Sequence, residues 1–347
     1  MNARKPRTVP TLKDVAEAAE VSLTTASRSL HPTGRHVNPE TRARVEAAAQ
    51  RLSYVPNLTA RAMARGTTAV VALVVGNISD PYFSSISAGV VAEAGASDLI
   101  VAMSATQNDP RHEVELVRSL KAQRPRAIIL TTSRGTDDEV NEQLSAELSS
   151  YEASGGRVAV IGRSELPFPA IEPNNREGAE ALARALVNLG YRRFGIITGP
   201  HALITGVDRA EGFCAGVEAS GFSVPPHRIR HESFDREGGY AGAQALLRRT
   251  SGDLDLIFAS TDAMALGALS AIRDAGLVPG SDVALAGFDD IPNITDVTPA
   301  LSTVRVPLEE LGRRALRTAL WMPTGSHHIP VSTQVVLRDS TPERSAS

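Results

Sequence analysis

The sequence predicts a small all-α unit followed by an α/β body on two doubly wound parallel sheets, and three observations carry that reading. Residues 11–30 form two short, apolar-striped helices around one tight turn. From residue 69 onward, short Val/Ile/Ala runs alternate with amphipathic stretches, the pattern of strand–helix–strand units. Charge is divided between the two parts. Residues 1–66 carry 11 Lys+Arg against 5 Asp+Glu, net +6, whereas the remaining 281 carry 25 against 34, net −9. A basic head on an acidic body suits a protein that holds phosphate at one end and stays soluble at the other. With 347 residues, 42% of them apolar, the chain has material for two or three compact units.

In the head, Leu12, Val15, Ala16 and Ala19 fall on one helical stripe, and Thr11 with Asp14 fits a capping box. Glu20–Val21 make the turn, and Ser22 caps a second helix. There Ala26 and Leu30 face inward, while Thr24, Ser27 and Arg28 share the opposite face with Leu23 beside them. Hydroxyls and an arginine on the free face of a backed helix suit a DNA major groove, the alternative being an ordinary αα-hairpin. Asn38-Pro39-Glu40 open a third helix with Val45, Ala48, Ala49 and Leu52 inward. Over 54–68, Ala60, Met63 and Ala64 share one helical face, and Arg61 and Arg65 another. A helix of roughly two turns is too short to persist alone in water and is expected to need support.

In the body, strands are expected at 69–76, 99–105, 126–133, 157–163, 192–199, 254–261 and 282–290, with helices at 83–95, 111–122, 137–151, 177–189, 209–220, 237–249 and 263–275. Gly162–Pro169 reads as the crossing between two sheets and Ile291–Pro299 as the return, followed by a helix at 307–320 and a strand at 329–338. The expected division is a head at 1–53, a connector at 54–68, a body at 69–341 and a frayed tail at 342–347. Within the body, subdomain one takes 69–162 and 295–324, and subdomain two takes 163–294 and 325–341.

Other chemistries find little support. There is no GxxxxGK[ST], no GxGxxG after the first strand and no GxSxG, so an enzyme is not indicated and no cofactor is expected. His227 and His231 have i,i+4 spacing but no carboxylate or thiolate at ligand spacing, so no metal site is assigned. The single cysteine, Cys214, excludes an intrachain disulfide and fits a reducing compartment. The N-terminal residues show no apolar signal core, and Ala69–Val75 is too short to span a bilayer, so a cytoplasmic protein without membrane contact is expected.

The phrase Thr-Leu-Lys-Asp-Val-Ala-Glu-Ala-Ala-x-Val-Ser at 11–22 and Tyr-Val-Pro-Asn…Ala-Arg-Ala-Met-Ala at 54–64 closely resemble the lactose-repressor (LacI/GalR) family of bacterial transcription regulators. Ordered matches continue through Asp80-Pro81-Tyr82-Phe83, Asn174-Asn175-x-x-Gly178, Gly199-Pro200, Arg209-x-x-Gly212-Phe213, Asp262-x-Met264-Ala265-x-Gly267 and Gly287-Phe288-Asp289-Asp290. They cover essentially all of 11–340. The resemblance implies a helix-turn-helix headpiece, a hinge helix and a periplasmic-binding-protein-like body with a small effector between its subdomains.

It also assigns residues. Leu23, Thr24 and Arg28 would read bases, Arg28 best of all because a guanidinium can bond guanine O6 and N7 together. Thr25 and Ser27 would hold phosphate, with Thr11, Ser22, Asn57 and Ala60 completing the DNA-contact set. Met63, where the family usually has leucine, would wedge a minor-groove step, with Arg61 and Arg65 facing phosphates; packing within its own chain is the alternative. A homodimer on a near-palindromic operator is implied, and no leucine heptad follows Val331 to build a tetramer. The implied effector residues are Tyr82, Phe83, Asn174, Arg209, Phe234, Asp262 and Asp289, although Asp262 could instead cap the helix at 263–275. Thr261 stands where several sugar sensors have asparagine, Leu203 and Ile204 are more apolar than in the purine-sensing branch, and Asn174 replaces the usual aspartate. A sugar is the first reading of the effector and a nucleobase or other metabolite the second. Ligand would move the subdomains, change the spacing of the two hinges, and so decide whether they fold on DNA.

Overall fold

The computed structural model describes residues 10–30, 37–55, 68–132, 135, 137–250, 253–325 and 327–344. These fall into two compact units, one within Met1–Arg65 and one within Gly66–Ser347. The expected connector helix, with Asn57, Ala60, Arg61, Met63 and Arg65, lies outside the described residues.

In the first unit, α1 (Leu12–Ala18) starts at Thr11, where the capping box forms: Thr11 Oγ1 accepts from the Asp14 amide at 3.4 Å, and Asp14 Oδ2 accepts from the Thr11 amide at 2.7 Å. Glu20 turns the chain with φ 54°, and Ser22 caps α2 (Leu23–Ser29) by accepting from the Thr25 amide at 3.1 Å. Asn38 and Pro39 open α3 (Pro39–Arg51). Val15, Ala16, Ala19, Ala26, Val45, Ala48 and Ala49 form the shared core, with Leu12, Val21, Leu30, Leu52 and Tyr54 packed around it. Small side chains let three short helices approach closely, at the cost of little apolar area per residue.

The second unit begins with β1 (Val70–Val75), α4 (Pro81–Gly95), β2 (Ile100–Ala105), α5 (Pro110–Ala122), β3 (Ala127–Leu130), α6 (Asp138–Ala153), β4 (Val158–Ile161) and β5 (Ala170–Pro173). It continues with α7 (Asn175–Asn188), β6 (Phe194–Thr198), α8 (Ile204–Ala219), β7 (Ile229–His231), α9 (Arg236–Thr250), β8 (Leu256–Ala259), α10 (Asp262–Asp274) and β9 (Ala284–Ala286). The chain closes with β10 (Thr303–Arg305), α11 (Leu308–Trp321), β11 (His328–Val331) and β12 (Gln334–Val336). Six parallel strands form one sheet in the order β11-β5-β4-β3-β1-β2, and four form another in the order β7-β6-β8-β9. The sequence of β1 explains its place. In Val-Val-Ala-Leu-Val-Val, Val71, Leu73 and Val75 enter one core and Ala72 and Val74 the other, as expected for a strand covered on both faces.

Several expectations about the crossings are corrected. After β4 the chain does not leave the first sheet across Gly162–Pro169; it loops and returns as β5, crossing only beyond Pro173. The stretch Ile291–Pro299 is not the return either. A 3₁₀ turn at Pro292–Thr295 buries Ile294 beside the second sheet, and bridges Ala286↔Ser302 and Asp289↔Arg305 keep the chain there until Val306-Pro307. The strand expected at 329–338 is two strands: β11 edges the first sheet, and β12 pairs antiparallel with β10. Three crossings therefore join the subdomains, near 174, 307 and 332. Residues 163–173 and 325–331 belong with the first sheet, and 295–306 with the second. The expected frayed tail is also pinned as far as Arg344, whose amide donates to Leu189 O at 2.8 Å and whose side chain meets Asp255 at 2.6 Å. Strands β5, β7 and β10 are only three or four residues long, which leaves no periodicity to read.

Helix α11 brings the C-terminal part of the chain back onto α4 through reciprocal glycines. A Cβ on Gly312 would stand 2.1 Å from Ile86 O, and one on Gly89 would stand 1.9 Å from Glu309 O. Gly312→Ala should therefore lower stability by about 1–3 kcal/mol through forced separation of the helices, measurable by urea unfolding of the whole chain.

Candidate functional site

The first unit presents a polar helix face. On α2, Leu23, Thr24, Ser27 and Arg28 are exposed, Leu23 by 53%, while Ala26 is buried beneath them. Thr25 is half-buried, and its hydroxyl lies 2.8 Å from that of Ser22. Thr11 Oγ1 donates to Asp14 at 2.8 Å. The hydroxyls of Thr11, Ser22 and Thr25 are thus already engaged in capping, while those of Thr24 and Ser27 stand on the open face. Ser29, expected on no particular face, is buried and donates to Thr25 O at 2.9 Å.

The second unit contains a cleft at the carboxyl ends of both sheets, where doubly wound folds place ligands. Tyr82, Phe83, Arg209, Phe234 and Asp289 line it, five of the seven residues expected there. The α4 start supplies Tyr82 and Phe83, which meet edge to face with ring centroids 5.1 Å apart. Phe234 packs on Gly199, where a Cβ would stand 2.3 Å from its ring.

Arg209, 2% exposed, organises the opposite wall. Its Nε donates to Asn175 Oδ1 at 2.9 Å, one terminal nitrogen to Ser260 O at 2.7 Å and the other to Asp289 Oδ1 at 2.7 Å, with the guanidinium 4.0 Å above the Phe288 ring centroid. Asp289 holds φ 116° and Asp290 φ 59°, conformations that non-glycine residues rarely adopt. Backbone bonds fix this turn: the Asp289 amide donates to Val304 O at 2.8 Å, and its carbonyl accepts from the Val306 amide at 3.2 Å. Burial pushes the Asp289 carboxyl up to about 7, against the opposing pull of Arg209.

Two expected residues lie elsewhere. Asp262 is fully buried behind the cleft, accepting from Thr303 Oγ1 at 2.7 Å and from the Ile291 amide at 3.0 Å; burial, with Asp289 nearby, drives its carboxyl well above the usual range. It fastens β10 and the Asp289 turn to α10. Nor is it the helix cap, a role taken by Thr261, which accepts from the Met264 amide at 3.2 Å and itself lines the cleft. Asn174 is tied to the third crossing, its amide donating to Val331 O at 3.0 Å, and its neighbour Asn175 enters the cleft instead.

The residues that sequence reasoning missed follow two rules. Thr106, Thr131, Thr132 and Gly162 come directly after β2, β3 and β4, and Asp80 and Asp109 cap α4 and α5. Exact strand ends would have found them. Thr205 enters because α8 begins at Ile204, five residues before the expected start, without a side-chain cap to mark it, and it brings with it Leu203, whose apolar character the sequence had already singled out. Across the mouth, Gly135 bridges Leu203, and Arg163 of the first subdomain pairs with Asp208 of α8 at 2.5 Å.

Such a cleft, with a polar fork under aromatic faces at a topological switch point, defines a small-molecule-binding α/β body; a basic helix-turn-helix head accompanies it on the same chain. Residues 11–57 match the model of bacterial regulatory proteins of the lacI family, and residues 183–341 match that of the periplasmic binding protein-like domain. The transcriptional repressor PurR of Escherichia coli is 30% identical over 326 residues, covering 94% of each chain. The transcriptional regulator CelR of Thermobifida fusca is 29% identical over 340 residues, covering 95% of this chain and 98% of its own. A solved CelR–cellobiose complex aligns with TM-score 0.69 at 27% identity, over 95% of this chain and 99% of that one. A Lac repressor dimer bound to operator shares the fold, with TM-score 0.81 at 24% identity over 96% and 100%. The chain belongs to the LacI family of bacterial transcriptional regulators. These relatives are regulators rather than enzymes, and among the described residues no helix is long and apolar enough to cross a membrane.

Arg209→Ala would strand a buried carboxylate and should cost about 3–5 kcal/mol in chemical unfolding of the intact chain. The pH dependence has a definite sign. Asp289 titrates near 7 when folded and about 4 when unfolded, so the native state holds the extra proton between those values. Its contribution is full below about pH 4 and declines as pH rises to about 7, a slope that Asp289→Asn should remove from a stability–pH profile.

Proposed function

We propose that this protein is a cytoplasmic, non-enzymatic repressor that binds a near-palindromic operator as a homodimer and responds to a sugar. The observation that carries the DNA assignment is the α2 face, where Leu23, Thr24, Ser27 and Arg28 stand exposed above a fully buried Ala26. Arg28 would read guanine, Thr24 and Leu23 the neighbouring base edges, and Ser27 phosphate. The hydroxyls of Thr11, Ser22 and Thr25 support those contacts by holding both helix starts, and Asn57, Ala60, Arg61 and Met63 would act at the minor groove. A second copy fits the open edge of the larger sheet, where β2 exposes Ile100 and Met103.

For the effector, threonine hydroxyls, the Arg209–Asn175–Asp289 fork and three aromatic rings suit a polyhydroxylated ring compound. The cellobiose named with one similar structure favours a sugar. Likeness to PurR keeps a nucleobase as the second reading, against which Leu203 offers an apolar contact in the cleft. Ligand contacts on both subdomains would bias their relative position and, through it, the spacing of the paired connectors. A coupling of about 1–3 kcal/mol would change operator affinity about 5–150-fold.

Fluorescence anisotropy on a palindromic fragment from the protein's own promoter tests the assignment. The intact chain should bind in preference to scrambled DNA, and Arg28→Ala should lose about 1–3 kcal/mol and most discrimination at one base position. Equal affinity of wild type and Arg28→Ala for both duplexes would overturn it.

A further inference from the structure

Two imidazoles are stacked on the rim of the cleft. His231 ends β7, where pairing with Thr198 of β6 fixes its backbone. His201 lies in the loop at 199–203 that leads into α8. Their ring centroids are 3.4 Å apart, the planes are 25° from parallel, and both residues are exposed. The Nδ1 of His231 stands 3.0 Å from Gly199 O. A carbonyl only accepts, so Nδ1 carries the hydrogen and Nε2 is the atom left to titrate. The loop held in this way forms part of the cleft wall. Gly199 packs under the Phe234 ring, and Leu203 both lines the cleft and bridges Gly135 of the first subdomain. Helix α8 begins there without a side-chain cap, and the amides of Gly206 and Val207 reach Leu203 O at 3.2 and 3.4 Å.

We infer that His201 and His231 form a proton-sensitive clasp: with at most one proton added between them they hold the 199–203 loop and Leu203 in place, and with two they release it. A single imidazolium can rest on the face of a neutral ring, whereas two stacked cations repel. At this separation, even with the dielectric constant of water, that repulsion changes the opening equilibrium about 5–10-fold. Partial burial lowers the His231 imidazole below its ordinary range and His201 adds to this, against the Gly199 carbonyl and the Glu232 carboxylate. Among the described residues, His201 and Glu232 are the titratable groups that act on it. In the released loop His231 returns to its ordinary value of about 6.5, so the clasp is complete above that pH and is lost as pH falls below it. Asp289, which titrates near 7, acts in the opposite sense, favouring the folded state on acidification. The clasp does not depend on which effector the cleft accepts.

Hydrogen exchange of the full-length, ligand-free chain at pH 7.5 and 5.5, corrected for intrinsic rates and followed by mass spectrometry, tests it. In peptides spanning 199–207, the amides of Leu203, Gly206 and Val207 should lose about 5–10-fold of their protection at the lower pH. His201→Phe keeps an aromatic face without a titrating group and should leave the loop protected at both values. His231→Asn removes the stack and should leave it open at both. His227→Gln, outside the stacked pair, should behave as wild type. Equal protection at the two pH values in the wild type, or a pH dependence that survives in His201→Phe or in His231→Asn, would overturn the clasp.

Discussion

The cleft depends on one buried ion pair. Arg209 on α8 and Asp289 beyond β9 are each 2% exposed and 2.7 Å apart, in surroundings where either charge alone would be strongly unfavourable. Pairing alone does not satisfy the guanidinium, so Asn175 and the Ser260 carbonyl take further donors and the Phe288 ring covers its face. Asp289 holds a positive φ there, and the 304–306 segment and buried Asp262 secure that turn. One interaction thus fixes a helix, a strand end, a crossing and a hinge segment relative to one another.

The three crossings give that arrangement its consequence. Because β5 and β11 lie in the first sheet and β10 and β12 beside the second, the chain passes between subdomains at three neighbouring places. A hinge of this kind permits rotation while restricting translation. The acidic caps Asp80 and Asp109 are on one wall, and Arg209, Phe234 and Asp289 on the other. A ligand touching both walls has different contacts in each relative position, the condition for shifting a two-state equilibrium. The Gly135–Leu203 bridge and the Arg163–Asp208 pair belong to the position seen here.

The head follows a different economy. Its core is mostly alanine and valine, so it buries little area and relies on caps at Thr11, Ser22 and Asn38 to define its helices. Those caps hold Leu23 and Arg28 outward, an exposed hydrophobe beside a cation that burial within the unit would not favour.

Much of this was legible in the residues themselves. The capping box, the apolar stripes and the uninterrupted hydrophobic run of β1 are local patterns whose physics acts within a few residues, so helix faces and sheet class could be read directly. The positions of Arg209 and Asp289 came with ordered motifs, and that of Phe234 from the resemblance alone. What could not be read depended on long-range pairing: short strands such as β5 and β10 acquire their identity only from the neighbours they hydrogen-bond. The exchange of Asn174 for Asn175, and of Asp262 for Thr261, turned on the direction of one side chain at a helix start. The sequence by itself determined the two-part division, the fold class and the polarity of the reading helix, because propensity, periodicity and charge are properties of nearby residues. Only the tertiary structure decided which strand closes which sheet and which carboxyls meet in the cleft, because those outcomes follow from packing between segments that are not neighbours in the chain.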